Sequence, residues 1–455
     1  LFRSPAASIS GRQQERIDYF FRPSSSASVA CPLASFSSSS ATSGPRMYHP
    51  LATTRSIAAR TRAASSRGAG EPNGNGTGSE YAGQFFGGQA LWNDLVGSTS
   101  YSQSMSGAYN VMGYVMEKNL NPSKLTINAG GSVTMSGAVG ANKSISTLAV
   151  TSTGFSATAI NTSSALNITN SAASTITGAI MGTGALTKAG TGTLTLSGLS
   201  DYTGSTTLNA GTLKISPTGQ IYQTDITTNL NVNSGAVLEV DTWSWQGSLG
   251  KFRFDPPNLV INGGTIRYAG TTGGDWRSFT VGTSGATFDS PTAGVTWNLN
   301  NSAQVPVISG DLTFTGAGNI VVNHTLTGSG YNIIKNGTGT LTLAGTNTYS
   351  GSTLVNAGVL SVSNSSGLGS TAAGTTVASG AALEFTGSIS VPEAISVLGT
   401  GVSSTGALRN LSGNNAVTGL VTLTGNTEIQ SDAGSLAFMP SAGNAITGSY
   451  NLTFD

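Results

Sequence analysis

Cysteine is almost missing from this chain: Cys31 stands alone. No disulfide can form within the chain, and pairing carries no information on redox compartment. A body free of cysteine is compatible with export in an unfolded state. Histidine occurs twice, as His49 and His324, in widely separated stretches. No zinc-type histidine cluster is present, and a histidine-dependent triad has only His324 to draw on. Charged residues make up 9% of the chain, against roughly a quarter in an ordinary domain. No two acidic residues are adjacent, no GxSxG elbow occurs, and no glycine-rich turn carries the Lys and Ser/Thr of a phosphate loop. No apolar run is long enough for a transmembrane helix. Together these absences leave little room for catalysis and call for no cofactor.

What is abundant is glycine, with 62 residues, amid serine, threonine and asparagine; 38% of residues are hydrophobic. The hydrophobic residues recur as runs of four or five, such as LTIN at 125, LNVN at 230, AVLEV at 236 and LTFT at 312. Gly, Asn, Asp or Ser bound most of these runs and supply the positive φ of tight corners. Alternation over short segments between turn residues is the signature of strands, so the chain is read as all-β.

Charge divides the sequence. Nine arginines, Arg3 to Arg67, lie in the first seventy positions, while the rest of the chain holds eleven basic and seventeen acidic residues. The body therefore gives no electrostatic reason to bind nucleic acid or anionic lipid. Residues 1–80 are Arg- and Ser-rich with no strand pattern and are expected to be disordered, as a transit peptide, a mis-started frame or a tail. Residues 81–124 are rich in aromatics and methionine. The spacing from Met105 to Met116 predicts a helix or irregular cap over the end of a stack, Gly107 and Gly113 notwithstanding.

From 125 onward the decisive feature is an internal repeat. Gly184 to Ile215 reads GALTKAGTGTLTLSGLSDYTGSTTLNAGTLKI and Gly330 to Val362 reads GYNIIKNGTGTLTLAGTNTYSGSTLVNAGVLSV. The offset is 147 residues, without a gap. Gly190, Gly192, Leu194, Leu196, Tyr202, Gly204, Asn209, Gly211 and Leu213 match Gly337, Gly339, Leu341, Leu343, Tyr349, Gly351, Asn356, Gly358 and Leu360. Fixed-period similarity denotes a unit that stacks on its own kind. A β-sandwich would use each strand once and predicts no such echo. A parallel β-helix does predict it: Leu194 and Leu196 point inward, Thr193 and Thr195 outward, and Asn209 and Asn356 bond along a ladder of turns. At about 25 residues and about 4.8 Å per coil, roughly thirteen coils give a stack on the order of 60 Å. The paired lysines, Lys188 and Lys335, are read as solvated corner residues, and His324 as an outward or turn residue.

The core KxGxGTLTLxGxxxYxGxTxxNAGxL resembles the autotransporter-associated β-strand repeat, also called the passenger-associated transport repeat. The stretch from Gly399 to Phe438 is similar to passenger sequence that precedes such repeats. The resemblance covers roughly residues 125–455. It implies a right-handed parallel β-helix, secreted or displayed at a bacterial outer surface, whose repeats support export and folding and whose role is adhesive or structural rather than enzymatic. The implied partners are cell-surface glycans and host or neighbouring surfaces. No secretion signal and no ten-residue alternating strands of a membrane barrel are read here, so the sequence is expected to be a passenger fragment.

One region invites a second reading. Asp241, Asp255 and Asp275, with Lys251, Arg253, Arg267 and Arg277, form the densest charged group, close in sequence to Trp243, Trp245, Trp276 and Trp297. Aromatic faces stack on sugars and charged groups bond hydroxyls. Residues 241–277 could thus bind a glycan, or act on a polysaccharide if two of Asp241, Asp255, Asp275 and Asp289 met in one groove. The structural alternative is a loop whose tryptophans pack against the stack.

Overall fold

The computed structural model describes residues 124–141, 144–221, 228–244, 247–249, 258–275, 277–300 and 305–455, together with four strands between residues 85 and 112. The expectations for residues 1–80 lie outside the described residues. Where the spacing predicts a helix, the chain is extended instead: Ser100–Met105 and Tyr109–Met112 are strands, paired in parallel with Lys124–Ala129 and Val133–Met135. In the sequence, Tyr101, Gln103 and Met105 alternate with serines, a period of two that overrides the weaker helical spacing broken by Gly107.

From there the chain winds into a parallel β-helix of about 14 turns. No α-helix occurs among the described residues; one turn of 3-10 helix lies at Val402–Ser404. Successive coils pair in register. Leu125 lies beside Leu148, Leu148 beside Leu166, and Leu166 beside Leu186. Coil length varies with the corner loops: 19 residues separate Leu194 from its partner Leu213, while 29 separate Leu230 from Leu259.

Within the first repeat the coil runs over three faces. Ala185–Ala189 lies on one, Thr193–Leu196 on the next and Asp201–Tyr202 on the third, before Thr206–Leu208 returns to the first. The pattern along these strands is alternating: Leu186 is buried and Thr187 half-buried, Leu194 and Leu196 are buried while Thr193 and Thr195 are not. Leucine, isoleucine and valine therefore stack in rows along the interior, and their burial supplies the driving force for folding at roughly 25 cal/mol per Å2 of apolar surface removed from water.

The second repeat does not sit on the same faces as the first. The strand Thr193–Leu196 belongs to a row that continues through Gly211–Ile215, Ala236–Val240, Thr265–Tyr268, Ala286–Asp289 and Leu312–Thr315 to Ile333–Lys335. The lysine strand of the second copy thus occupies the face that held the TLTL strand of the first. Its own TLTL strand, Thr340–Leu343, belongs to a separate row containing Gly273–Asp275, Thr296–Leu299 and Asn319–Val322.

Candidate functional site

The corner after each lysine strand is built alike in the two copies. Leu186 and Lys188 both lie on the inward side of Ala185–Ala189, as Ile333 and Lys335 do on Ile333–Lys335. The expectation of solvated lysines fails here: Lys188 is 0% exposed and Lys335 3%. The reason is the strand period of two, which places a residue two beyond an inward Leu or Ile on the same side. Lys188 Nζ donates to the carbonyls of Ala189 (2.8 Å), Gly190 (2.8 Å) and Ala210 (3.1 Å). Lys335 Nζ donates to those of Asn336 (2.8 Å), Gly337 (2.8 Å) and Ala357 (2.9 Å). Burial lowers both lysines from the ordinary value to about 8, while three carbonyl acceptors favour the ammonium form.

The remaining repeat residues serve this corner and the other turns of the coil. Gly211 and Gly358 have φ of 66° and 67°. A Cβ on Gly358 would come within 2.5 Å of the Gly337 carbonyl and 2.8 Å of Lys335 Nζ. Tyr202 and Tyr349 are buried, each with its hydroxyl 2.6 Å from that of a threonine four residues on, Thr206 and Thr353. The asparagine ladders are present: Asn233 Nδ2 donates to Asn209 Oδ1 at 2.8 Å, and Asn356 Nδ2 to Asn336 Oδ1 at 2.9 Å.

Of the charged and aromatic group at 241–277, the described residues show where Trp243, Asp241, Arg267 and Arg277 lie. Trp243 is 1% exposed and Trp297 fully buried, with ring centroids 5.1 Å apart edge to face. Trp297 also stacks on Tyr268 at 5.2 Å, and Phe288 on Phe314 at 5.5 Å. Trp243 therefore fills the interior and has no face to offer a glycan. The aromatics occupy the coils between the two copies, where Gly273–Asp275 joins the row that will carry the second TLTL strand. The side chains of Trp245, Asp255, Asp275 and Trp276 lie outside the described residues. Asp241 is partly buried, and burial raises its carboxyl above the ordinary value, opposed by Lys214.

Arg277 is buried and donates to the Ser244 carbonyl, while Lys214, Glu239, Arg267 and Asp289 form a ladder on one outer face. Lys214 Nζ is 2.6 Å from Glu239 Oε1, and Arg267 lies 3.7 Å from Glu239 Oε2 and 2.8 Å from Asp289 Oδ2. Glu239, Arg267 and Asp289 sit on consecutive coils in direct register, so Asp289 is held by an arginine. A second ladder of Glu384, Arg409 and Asp432 stands farther along the chain.

His324 lies in a bend, as one of its two expected placements has it, but it does not face outward. It is 0% exposed, donates from Nε2 to the Arg277 carbonyl at 3.0 Å and packs edge-on against Phe279. Burial lowers it to about 4, against the opposing effect of the Arg277 carbonyl. Glu393, not singled out in the sequence, is 2% exposed, and burial raises its carboxyl to about 8. Neither has a local sequence signal: each is one polar residue in a strand or corner that reads as any other. Among the described residues no three His, Cys, Asp or Glu side chains are grouped to hold a metal.

Comparison with known proteins agrees with this architecture. The family model of the passenger-associated-transport-repeat matches residues 186–215 and 333–362, the two copies described above. A stretch of 158 residues is 33% identical to the adhesin BmaC autotransporter of Brucella suis biovar 1 (strain 1330), covering 35% of this chain. The aligned stretch amounts to 3% of that relative's length. No solved structure matches. The chain thus carries two passenger-associated-transport-repeats wound into one parallel β-helix, and over about a third of its length it is similar to an autotransporter adhesin.

Proposed function

We propose that the chain is part of a secreted or surface-displayed autotransporter passenger, non-enzymatic, in which the coil stack presents adhesive surface and the repeats assist folding during export. The observation that carries this reading is the pairing of two transport repeats with 33% identity to an autotransporter named as an adhesin. The build of the molecule supports it. Trp243, Trp297 and the repeat lysines are directed inward, and Lys214, Glu239, Arg267 and Asp289, like Glu384, Arg409 and Asp432, are tied in ladders. A parallel β-helix of this composition gains cohesion from rows of like residues and needs neither disulfide nor metal to hold it.

Adhesion is tested by coating beads with the 455-residue chain and measuring retention on cultured host cells, on glycan arrays and on a lawn of the same beads. Retention above that of albumin-coated beads on any of the three is expected. Equal retention on all three would remove the adhesive role. For the folding role, the chain fused to a membrane barrel would be scored for surface display with either repeat deleted; undiminished display of both deletions would sink it.

A further inference from the structure

We propose that Lys188 and Lys335 are coil latches: each ammonium closes the corner of its own coil and grips the turn of the coil that follows, locking the pair against local opening. The proposal supplies a chemistry for the folding role argued above and rests on that reading only for its link to export.

Three features of the geometry point to it. An ammonium has three N–H donors and no acceptor, and each lysine finds three carbonyls, at 2.8 to 3.1 Å for Lys188 and 2.8 to 2.9 Å for Lys335. Two of those carbonyls belong to the lysine's own corner, while the third, on Ala210 or Ala357, belongs to the NAG turn of the next coil. The set is therefore complete only when that next coil has docked. A lysine buried without it would leave one N–H of a charged group without an acceptor, which is unfavourable.

The positions around each lysine are apolar. Lys188 lies between Ile168 and Leu208 in its row, and Lys335 between Phe314 and Val355. A methionine or leucine would fit those rows as stacking residues, so packing does not call for lysine there. What calls for it is the ring of carbonyls. The glycines match: a side chain at Gly358 would strike Lys335 Nζ, and a Cβ on Gly211 would come within 2.4 and 2.5 Å of the carbonyls of Gly190 and Gly192.

The placement of the two copies also argues for an internal role. Because their lysine strands lie on different faces, the copies do not present one repeated surface to one side of the coil stack. What they share is the buried corner.

The test uses the complete 455-residue chain. First, the folded protein is treated with a water-soluble acetylating ester and the rate of label at each lysine is read by peptide mass spectrometry, with exposed Lys124 as reference. Second, amide exchange is measured at 209–213 and 356–360 in Lys188→Met and Lys335→Met. In the native chain Lys188 and Lys335 should be acetylated at least about tenfold more slowly than Lys124. In each variant, exchange at the turn following the changed lysine should quicken by at least about tenfold, with the other turn unchanged, as expected on losing hydrogen bonds from a charged group. Acetylation at the rate of Lys124, or unchanged exchange at both turns, would overturn the latch. Should a methionine variant fail to fold, acetylation of the native chain decides alone. An intact latch in a chain that fails the display and adhesion assays would leave this inference standing and remove only its link to export.

Discussion

Lys335 stands in the same inward row as Leu194, six coils further along, and not in the row of Lys188. The row runs Leu194, Leu213, Leu238, Ile266, Phe288, Phe314, Lys335. A repeat offset of 147 residues is thus not a whole number of turns; the second copy is advanced by one face. Between the copies the interior also holds large aromatics, Trp243, Tyr268, Phe279, Phe288, Trp297 and Phe314.

Removing one of those aromatics should be costly. Trp297 touches Trp243, Tyr268 and Phe288, and Trp297→Ala should destabilise by about 3 to 5 kcal/mol through the cavity it leaves. Chemical denaturation monitored by far-ultraviolet circular dichroism measures it. A change below about 1 kcal/mol would mean that the surrounding rings close the gap.

His324 gives the stability a defined pH dependence. Its folded value of about 4 lies below the ordinary 6.5, so between these limits the unfolded chain takes up a proton that the folded chain refuses. Stability therefore falls as pH drops from 6.5 to 4, by about 3 kcal/mol for this group, and levels off below. His324→Phe should lose that part of the slope when the difference from the native chain is plotted against pH.

Glu393 acts with the opposite sign. Burial raises its folded value to about 8 from 4.5, so between these limits the folded chain keeps a proton that the unfolded chain releases. Its contribution to stability is fully present below pH 4.5 and is lost as pH rises toward 8. Glu393→Gln, uncharged throughout, should gain on the native chain progressively from pH 5 to pH 8 in denaturant midpoints. A constant offset across that range would contradict the assignment.

The two tyrosine corners offer a paired control. Tyr202 and Tyr349 have the same hydroxyl partner at the same 2.6 Å. Tyr202→Phe and Tyr349→Phe should each cost about 1 kcal/mol, the usual net worth of one hydrogen bond. Unequal losses would show that the copies are not energetically equivalent despite their common geometry.

The ion ladder should contribute little. Arg267 and Lys214 are each 37% exposed in their side chains, and a double-mutant cycle on Arg267 and Asp289 should give about 0.2 to 1 kcal/mol, reduced further in high salt.

Much of this molecule was legible in the residues. The gap-free echo, the alternation around Leu194 and Leu196 and the NAG turns led to a parallel β-helix and to asparagine ladders, because strand period and corner chemistry are local properties. The inward lysines were legible too: Leu186 and Lys188 share the parity that places both inside, but charge suggested water more strongly than parity suggested burial. The carbonyls that reverse that preference come partly from a turn 22 residues away, and no local rule supplies them.

The sequence alone determined the strands, the corners and the unit that repeats, since each depends on residues within one coil. Only the tertiary structure decided which coil lies on which. Coils of different length accumulate into a shift of one face that sets Lys335 in the row of Leu194, and the packing of the coils buries Trp243, His324 and Glu393. Those outcomes depend on register summed over many coils, and burial of a polar side chain is decided by the neighbours that register brings.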